Sequence, residues 1–193
     1  MVSAYDAWLL LAEHLADDDL KRFEGTVLAV IGEVDPALDI PQEERWWKAT
    51  FEGKVRSNSG DLRRGLARSL ALLGAHGDSV TLSGGSGEAW ANHIVRQLLT
   101  SANDDSTGRK WASLSDVLPL LAEAGPDAFL DAVTKGLSGD DPLLGTMFTD
   151  RDSDAFSASS HHTGLLWALE NVAWSPDHFG AAVEQLARLV VFG

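Results

Sequence analysis

Six histidines, twenty-nine acidic residues and no cysteine set the chemistry open to this chain. Without a thiol there is no disulfide framework, no zinc–thiolate site and no cysteine nucleophile. The densest candidate is the run from His161 to Val183, HHTGLLWALENVAWSPDHFGAAV, which opens on two adjacent histidines. A metal or acid–base pair is one reading of His161 and His162. Metal-binding histidines on a helix, however, stand four apart or converge from separate elements, so these two read as polar residues leading into a helix. Asp150, Asp152 and Asp154 imitate the start of a calcium loop. Its sixth position is Ala155 rather than glycine and its twelfth is His161 rather than glutamate, which favours a solvated loop. Gly84, Gly85, Ser86 and Gly87 are followed by Glu88, so a phosphate would meet a negative charge there. Neither an H-E-x-x-H pair nor a G-x-S-x-G elbow occurs. His93, beside Ile94 on an apolar helix, is expected to be a hydrogen-bonded, half-buried side chain rather than a catalytic base. No catalytic, metal-binding or cofactor-binding residue is assigned. A metal-dependent hydrolase using His93 or the 150–162 loop is the weakest alternative.

Charge gives a sharper signal. Between Arg45 and Arg68, seven bases stand against Glu52 and Asp61, in a chain of formal net charge −14. The overall acidity argues against a nucleic-acid or anionic-membrane binder over the whole surface. The local cluster admits two accounts. One is a solvated helix face whose bases pair with neighbouring acids, each worth little. The other is a docking surface made of Arg45, Trp46, Lys48, Arg56, Arg63, Arg64 and Arg68, facing phosphate, nucleic acid or an acidic protein domain. Trp47 shares a stripe with Phe51 and is expected in the core, leaving Trp46 as the aromatic anchor.

The elements that must carry these groups read as helices throughout. Apolar residues recur at spacings of three and four behind helix-start signals. Ser3 caps a first helix with Trp8, Leu11, Ala12 and Leu15 as its stripe. Asp17–Asp19 open a second, with Leu20, Phe23, Val27, Val30 and Ile31. Pro41 starts a third carrying Trp47, Phe51 and Val55. A fourth has Leu62, Leu66, Leu70 and Leu73, and a fifth has Trp90, Ile94, Leu98 and Leu99. Leu114–Ala124 holds Pro119, so it kinks or starts late. Ala128–Leu137 follows, then a polar stretch with at most a short helix near Pro142–Phe148. Gly164–Trp174 and the segment after Ser175 complete the set. Ser79–Leu82, the best strand candidate, is too short to build a sheet. The fold class is all-α, with about nine helices in stacked antiparallel hairpins.

AGPDAFLDAVTKGL and WSPDHFGAAVEQLA align at a shift of 50 residues, matching Pro126 with Pro176, Asp127 with Asp177, Phe129 with Phe179 and Val133 with Val183. Each proline suits the first helical position and each aspartate the helix dipole. The segment HTGLLWALENVAWSPDHF, 162–179, resembles HEAT- or armadillo-like helical repeats and the helical regions of large multidomain bacterial proteins. The resemblance implies an α-solenoid-like stack and carries no catalytic residue. Within it, Gly164–Trp174 is apolar nearly all round, with Trp167 and Trp174 adding a second face, so burial between neighbouring helices is expected.

These features point to one domain over residues 1–193, in which an N-terminal region (residues 1–78) precedes C-terminal hairpins (residues 111–193). The apolar ending LARLVVFG is expected of a segment of a longer protein, since a stack of hairpins needs a polar cap. The N-terminus lacks a basic signal region and Trp8–Leu11 is too short to span a bilayer, which implies a cytoplasmic chain without a membrane partner. The function expected is a non-enzymatic scaffold or interaction module for protein–protein or interdomain contacts. The alternative is a nucleic-acid- or nucleotide-responsive module working through 45–68.

Overall fold

The computed structural model describes residues 4–79, 81–82, 85–148 and 161–192. Ser3, Gly84 and the aspartates of the calcium-like loop lie outside the described residues. The fold is all-α: ten α-helices occur among the described residues, joined by 3-10 segments. They are α1 (Ala4–Leu11), α2 (Asp17–Ile31), α3 (Gln42–Phe51), α4 (Gly60–His76), α5 (Gly87–Asn103), α6 (Arg109–Leu114), α7 (Leu118–Ala124), α8 (Pro126–Gly136), α9 (His161–Ala173) and α10 (Phe179–Leu189). Thr81–Leu82 and Gly85–Ser86 form a two-residue antiparallel ladder in the tight connection before α5.

Local chemistry sets the helix ends. Ser59 Oγ accepts the Leu62 N–H at the start of α4, and Ser86 Oγ accepts the Ala89 N–H at the start of α5, each satisfying one orphan donor of a first turn. The expected helix 114–124 starts late, as α7, with the separate α6 ending at Leu114, and Pro119 sits in the first turn of α7, where its missing N–H is harmless. Pro126 opens α8, and its first turn is closed by Asn92 of α5, whose Oδ1 accepts the N–H of the buried Ala128. Pro176 behaves differently from its counterpart. It lies in a turn, and α10 begins only at Phe179. Residues 143–148 form a 3-10 helix.

One contiguous apolar core runs from Leu20 of α2 to Leu189 of α10. In it α4 packs against α2, α5 and α7, α7 against α8 and α9, α5 against α8, and α10 against α9 and α8. Two glycines allow the closest approaches. A Cβ on Gly74 of α4 would overlap the Ala124 carbonyl at the end of α7, and one on Gly164 of α9 would overlap the Ser115 carbonyl between α6 and α7. Trp111 is fully buried and donates its indole N–H to Asn103 Oδ1, while Asn103 Nδ2 donates to the Ala132 carbonyl, so one amide joins α5, α6 and α8.

Two expectations about burial are overturned. No residue of α3 is buried, although Trp47 and Phe51 share its apolar stripe. α9 buries Leu165, Ala168, Leu169 and Val172, but Trp167 and, just past its end, Trp174 stay in solvent. In both cases the apolar spacing is real, and no helix among the described residues covers that side.

Candidate interaction surface

The basic segment divides between interior and surface. Arg63 is fully buried, which removes it from the expected surface. Its Nη1 donates to the carbonyls of Val30 (2.8 Å) and Ile31 (3.0 Å), and its Nη2 to the Ser113 carbonyl (2.9 Å) and Asp116 Oδ1 (3.3 Å). It thus satisfies carbonyls at the C-terminal ends of α2 and α6, where a cation is also favoured by the helix dipole. Arg56 reaches the same Ser113 carbonyl through Nη2 at 2.9 Å and pairs with Asp35 through Nε at 3.1 Å. Arg45 Nε donates to the Ile40 carbonyl, holding α3 against the chain that leads into it. Lys48 donates to Glu44 at 2.7 Å, one helical turn back, and lies 3.8 Å from Glu52. The hydrogen bond and charge of Glu44 hold the Lys48 ammonium above its ordinary pKa. Arg64 makes an exposed i,i+3 pair with Asp61, and Arg68 is exposed one turn further along α4.

The aromatic residues form the more prominent surface. On α3, Trp46 is 79% and Phe51 86% exposed, with Trp47 and Val55 beside them also exposed. Among the described residues, the only substantial helix contact of α3 is with the 3-10 helix Pro36–Asp39. At the other end of the helix order, Trp167 on α9 is 61% and Trp174 just after it 82% exposed, followed by exposed Phe179 and Val183 on α10 and by Val190 and Val191. Large aromatics left in water on two separate elements forfeit burial worth about 1.5–3 kcal/mol for a Phe-sized side chain. Sequence periodicity locates such faces. It does not reveal whether the fold covers them.

The histidines are dispersed. His161 Nδ1 lies 3.3 Å from Ser115 Oγ, while the ring of His162 stacks on Phe148 with centroids 4.8 Å apart, so the adjacent pair points to different neighbours. His93 is exposed rather than half-buried, and its Nε2 lies 2.7 Å from the Gln97 amide, which itself donates to Glu24. Among the described residues no group of three His, Asp or Glu side chains is placed to hold a metal ion. Spacing along the chain did not reveal the arrangement around His178. Its Nδ1 is 3.1 Å from Ser175 Oγ and its Nε2 is 3.0 Å from Asp127 Oδ1, beside a cleft of about 330 Å³. The order Ser–His–Asp is that of an activated serine. Asp127, however, is exposed at the start of α8, so its charge is shared with water and the helix end. The arrangement clasps α8 to the turn preceding α10. The repeated Pro-Asp motif was its only trace in the sequence.

No family model, curated protein or solved structure matches this chain. None of the helices among the described residues is long and apolar enough to cross a membrane.

Proposed function

We propose that this chain is a non-enzymatic helical interaction module of the cytoplasm, holding a protein partner or a neighbouring domain of the same polypeptide. In this reading α4–α5, α7–α8 and α9–α10 are HEAT- or armadillo-like hairpins in a short solenoid-like stack. The packing of α4 on α7 on α9, and of α5 on α8 on α10, supports the stack. The observation that carries the functional reading is the exposure of Trp46, Phe51 and Trp167 on helices whose opposite sides are polar or packed, together with Trp174 just after α9. Aromatic residues of this kind supply most of the energy at protein interfaces. The nucleic-acid reading is weaker, because Arg45, Lys48, Arg56 and Arg63 already bond to groups of this chain, leaving Arg64 and Arg68 as the more available bases.

Photo-crosslinking residues placed at 46 or 174, with Asp18 as an exposed polar control, test the module. A partner captured at 46 or 174 and absent at 18 is then purified, and its affinity measured for Phe51→Ser and Trp174→Ser. The expected result is weakening by about tenfold or more in at least one variant, with the melting temperature held within a few degrees. Equal capture at all three positions, or affinity unchanged in both variants, overturns the reading.

A further inference from the structure

A cleft of about 800 Å³ runs beside the C-terminal half of α5 and the start of α6. It shares Gln97, Ser101 and Lys110 with an inner recess of about 220 Å³, whose apolar lining includes Leu28, Ile31, Leu98 and Leu114. None of these residues belongs to the apolar faces of α3, α9 or α10. Polar side chains rim the mouth, and in the recess those four apolar side chains meet Glu33 and the shared collar of Gln97, Ser101 and Lys110. Ligand sites of soluble proteins have this character: concave, largely apolar and carrying a few convergent polar groups.

Charge at the collar is uneven. The Lys110 ammonium donates to Ser101 Oγ at 2.6 Å, a neutral acceptor. The surrounding carboxylates are engaged elsewhere. Asp105 Oδ2 accepts the backbone N–H of Lys110, and its Oδ1 accepts the N–H and hydroxyl of Thr107. Asp104 faces Lys135 at 3.6 Å. Glu33, at the recess, accepts from the Ser57 N–H and the Asn58 amide. Arg96 and Arg109 line the mouth already paired with Asp131 and Asp39. Lys110 therefore stands where the cleft meets the recess, hydrogen-bonded to the neutral Ser101 hydroxyl, with its charge also acting on Asp105.

We propose that the cleft and recess bind a small amphipathic carboxylate. Its carboxylate meets the Lys110 ammonium and the Ser101 hydroxyl, and its hydrocarbon tail enters the recess. Size fixes the tail: a dry cavity of about 150 Å³ takes a benzene ring, so the recess accommodates a chain or ring of about six carbons. Charge fixes the head. One ammonium matches one negative charge, and a dianionic phosphate would set its second charge beside Asp104 and Asp105.

Titration calorimetry on the full chain with hexanoate and benzoate, compared with 1-hexanol and inorganic phosphate, tests this. Saturable binding of at least one carboxylate is expected, with hexanol and phosphate weaker by about tenfold or more. Lys110→Gln should weaken carboxylate binding by a similar factor, and Lys110→Arg should retain most of it. Amide NMR shifts on adding the carboxylate should centre on residues 97–110. Should Lys110→Gln not fold, Ser101→Ala with the same shift map takes its place, and about threefold weakening is expected. The inference is overturned if neither carboxylate saturates below about 10 mM, if phosphate binds as well as the carboxylates, or if affinity survives loss of the Lys110 charge or, where Ser101→Ala stands in, of the Ser101 hydroxyl.

Discussion

Replacing Arg63 by alanine should be among the most damaging single changes in this chain. The guanidinium makes three hydrogen bonds to backbone carbonyls and one to a carboxylate, from a side chain 1% exposed. Truncation strands the Val30 and Ile31 carbonyls in the interior, leaves the Ser113 carbonyl to Arg56 alone, removes a cation from the C-terminal end of α2 and opens a cavity. Bonds to a charged donor contribute about 1.5–3 kcal/mol each but do not add independently. Breaking a buried charged pair costs about 3–5 kcal/mol in total. For a chain of this length that lowers the melting temperature by roughly 10 °C. Lysine, a point charge without the planar fork, should recover less than half of the loss. Arg64→Ala is the matched control: one residue along the same helix, 54% exposed and paired only with Asp61, it should cost under about 0.5 kcal/mol. Urea unfolding of the three variants, with the denaturant slope checked for constancy, measures all of this. If Arg63→Ala falls within about 1 kcal/mol of Arg64→Ala, the role assigned to the buried guanidinium is wrong.

Gly164→Ala and Gly180→Ala should act with opposite signs. The first places a methyl against the Ser115 carbonyl and should destabilise by about 1–3 kcal/mol, while the second meets nothing within 4 Å on α10 and should stabilise by up to about 1 kcal/mol. Equal denaturation midpoints for the two would remove Gly164 as the close-packing point of α9. Acid should weaken the fold through Asp105. Burial pushes its carboxyl up, but hydrogen bonds from the Thr107 hydroxyl, the Lys110 and Thr107 N–H groups and the charge of Lys110 more than offset this and hold it below its ordinary value. A carboxyl depressed in the folded state stabilises fully above its ordinary pKa of about 4, and the contribution is lost as the pH falls through the folded value. Asp105→Asn should therefore flatten the decline of unfolding free energy below about pH 4.5; an unchanged slope would count against it.

The order of residues was enough to settle the helical class and much of the succession of elements. Local signals suffice for that: Ser59 and Ser86 cap the helices they precede, Pro126 opens α8, and Leu70 and Leu73, with Ile94, Leu98 and Leu99, mark the buried sides of α4 and α5, although Leu62 at the start of the α4 stripe is exposed. It also marked 45–68 as the basic segment. How those charges and apolar stripes are used was settled only when the helices came together. Arg63 and Arg64 are neighbours with the same side chain, yet one ends inside and the other in water, because the 100° turn between them aims only Arg63 at the ends of α2 and α6. The stripe of α3 matches those of the core helices in spacing, yet no helix among the described residues lies over it, and Trp167 on α9 and Trp174 just after it share that fate. Periodicity is a property of one helix, whereas burial requires a second surface. That second surface arrives from distant stretches of the chain, as when Ser113 meets Arg56 and Arg63 or when Leu28 and Ile31 of α2 close the recess over Leu98 and Lys110.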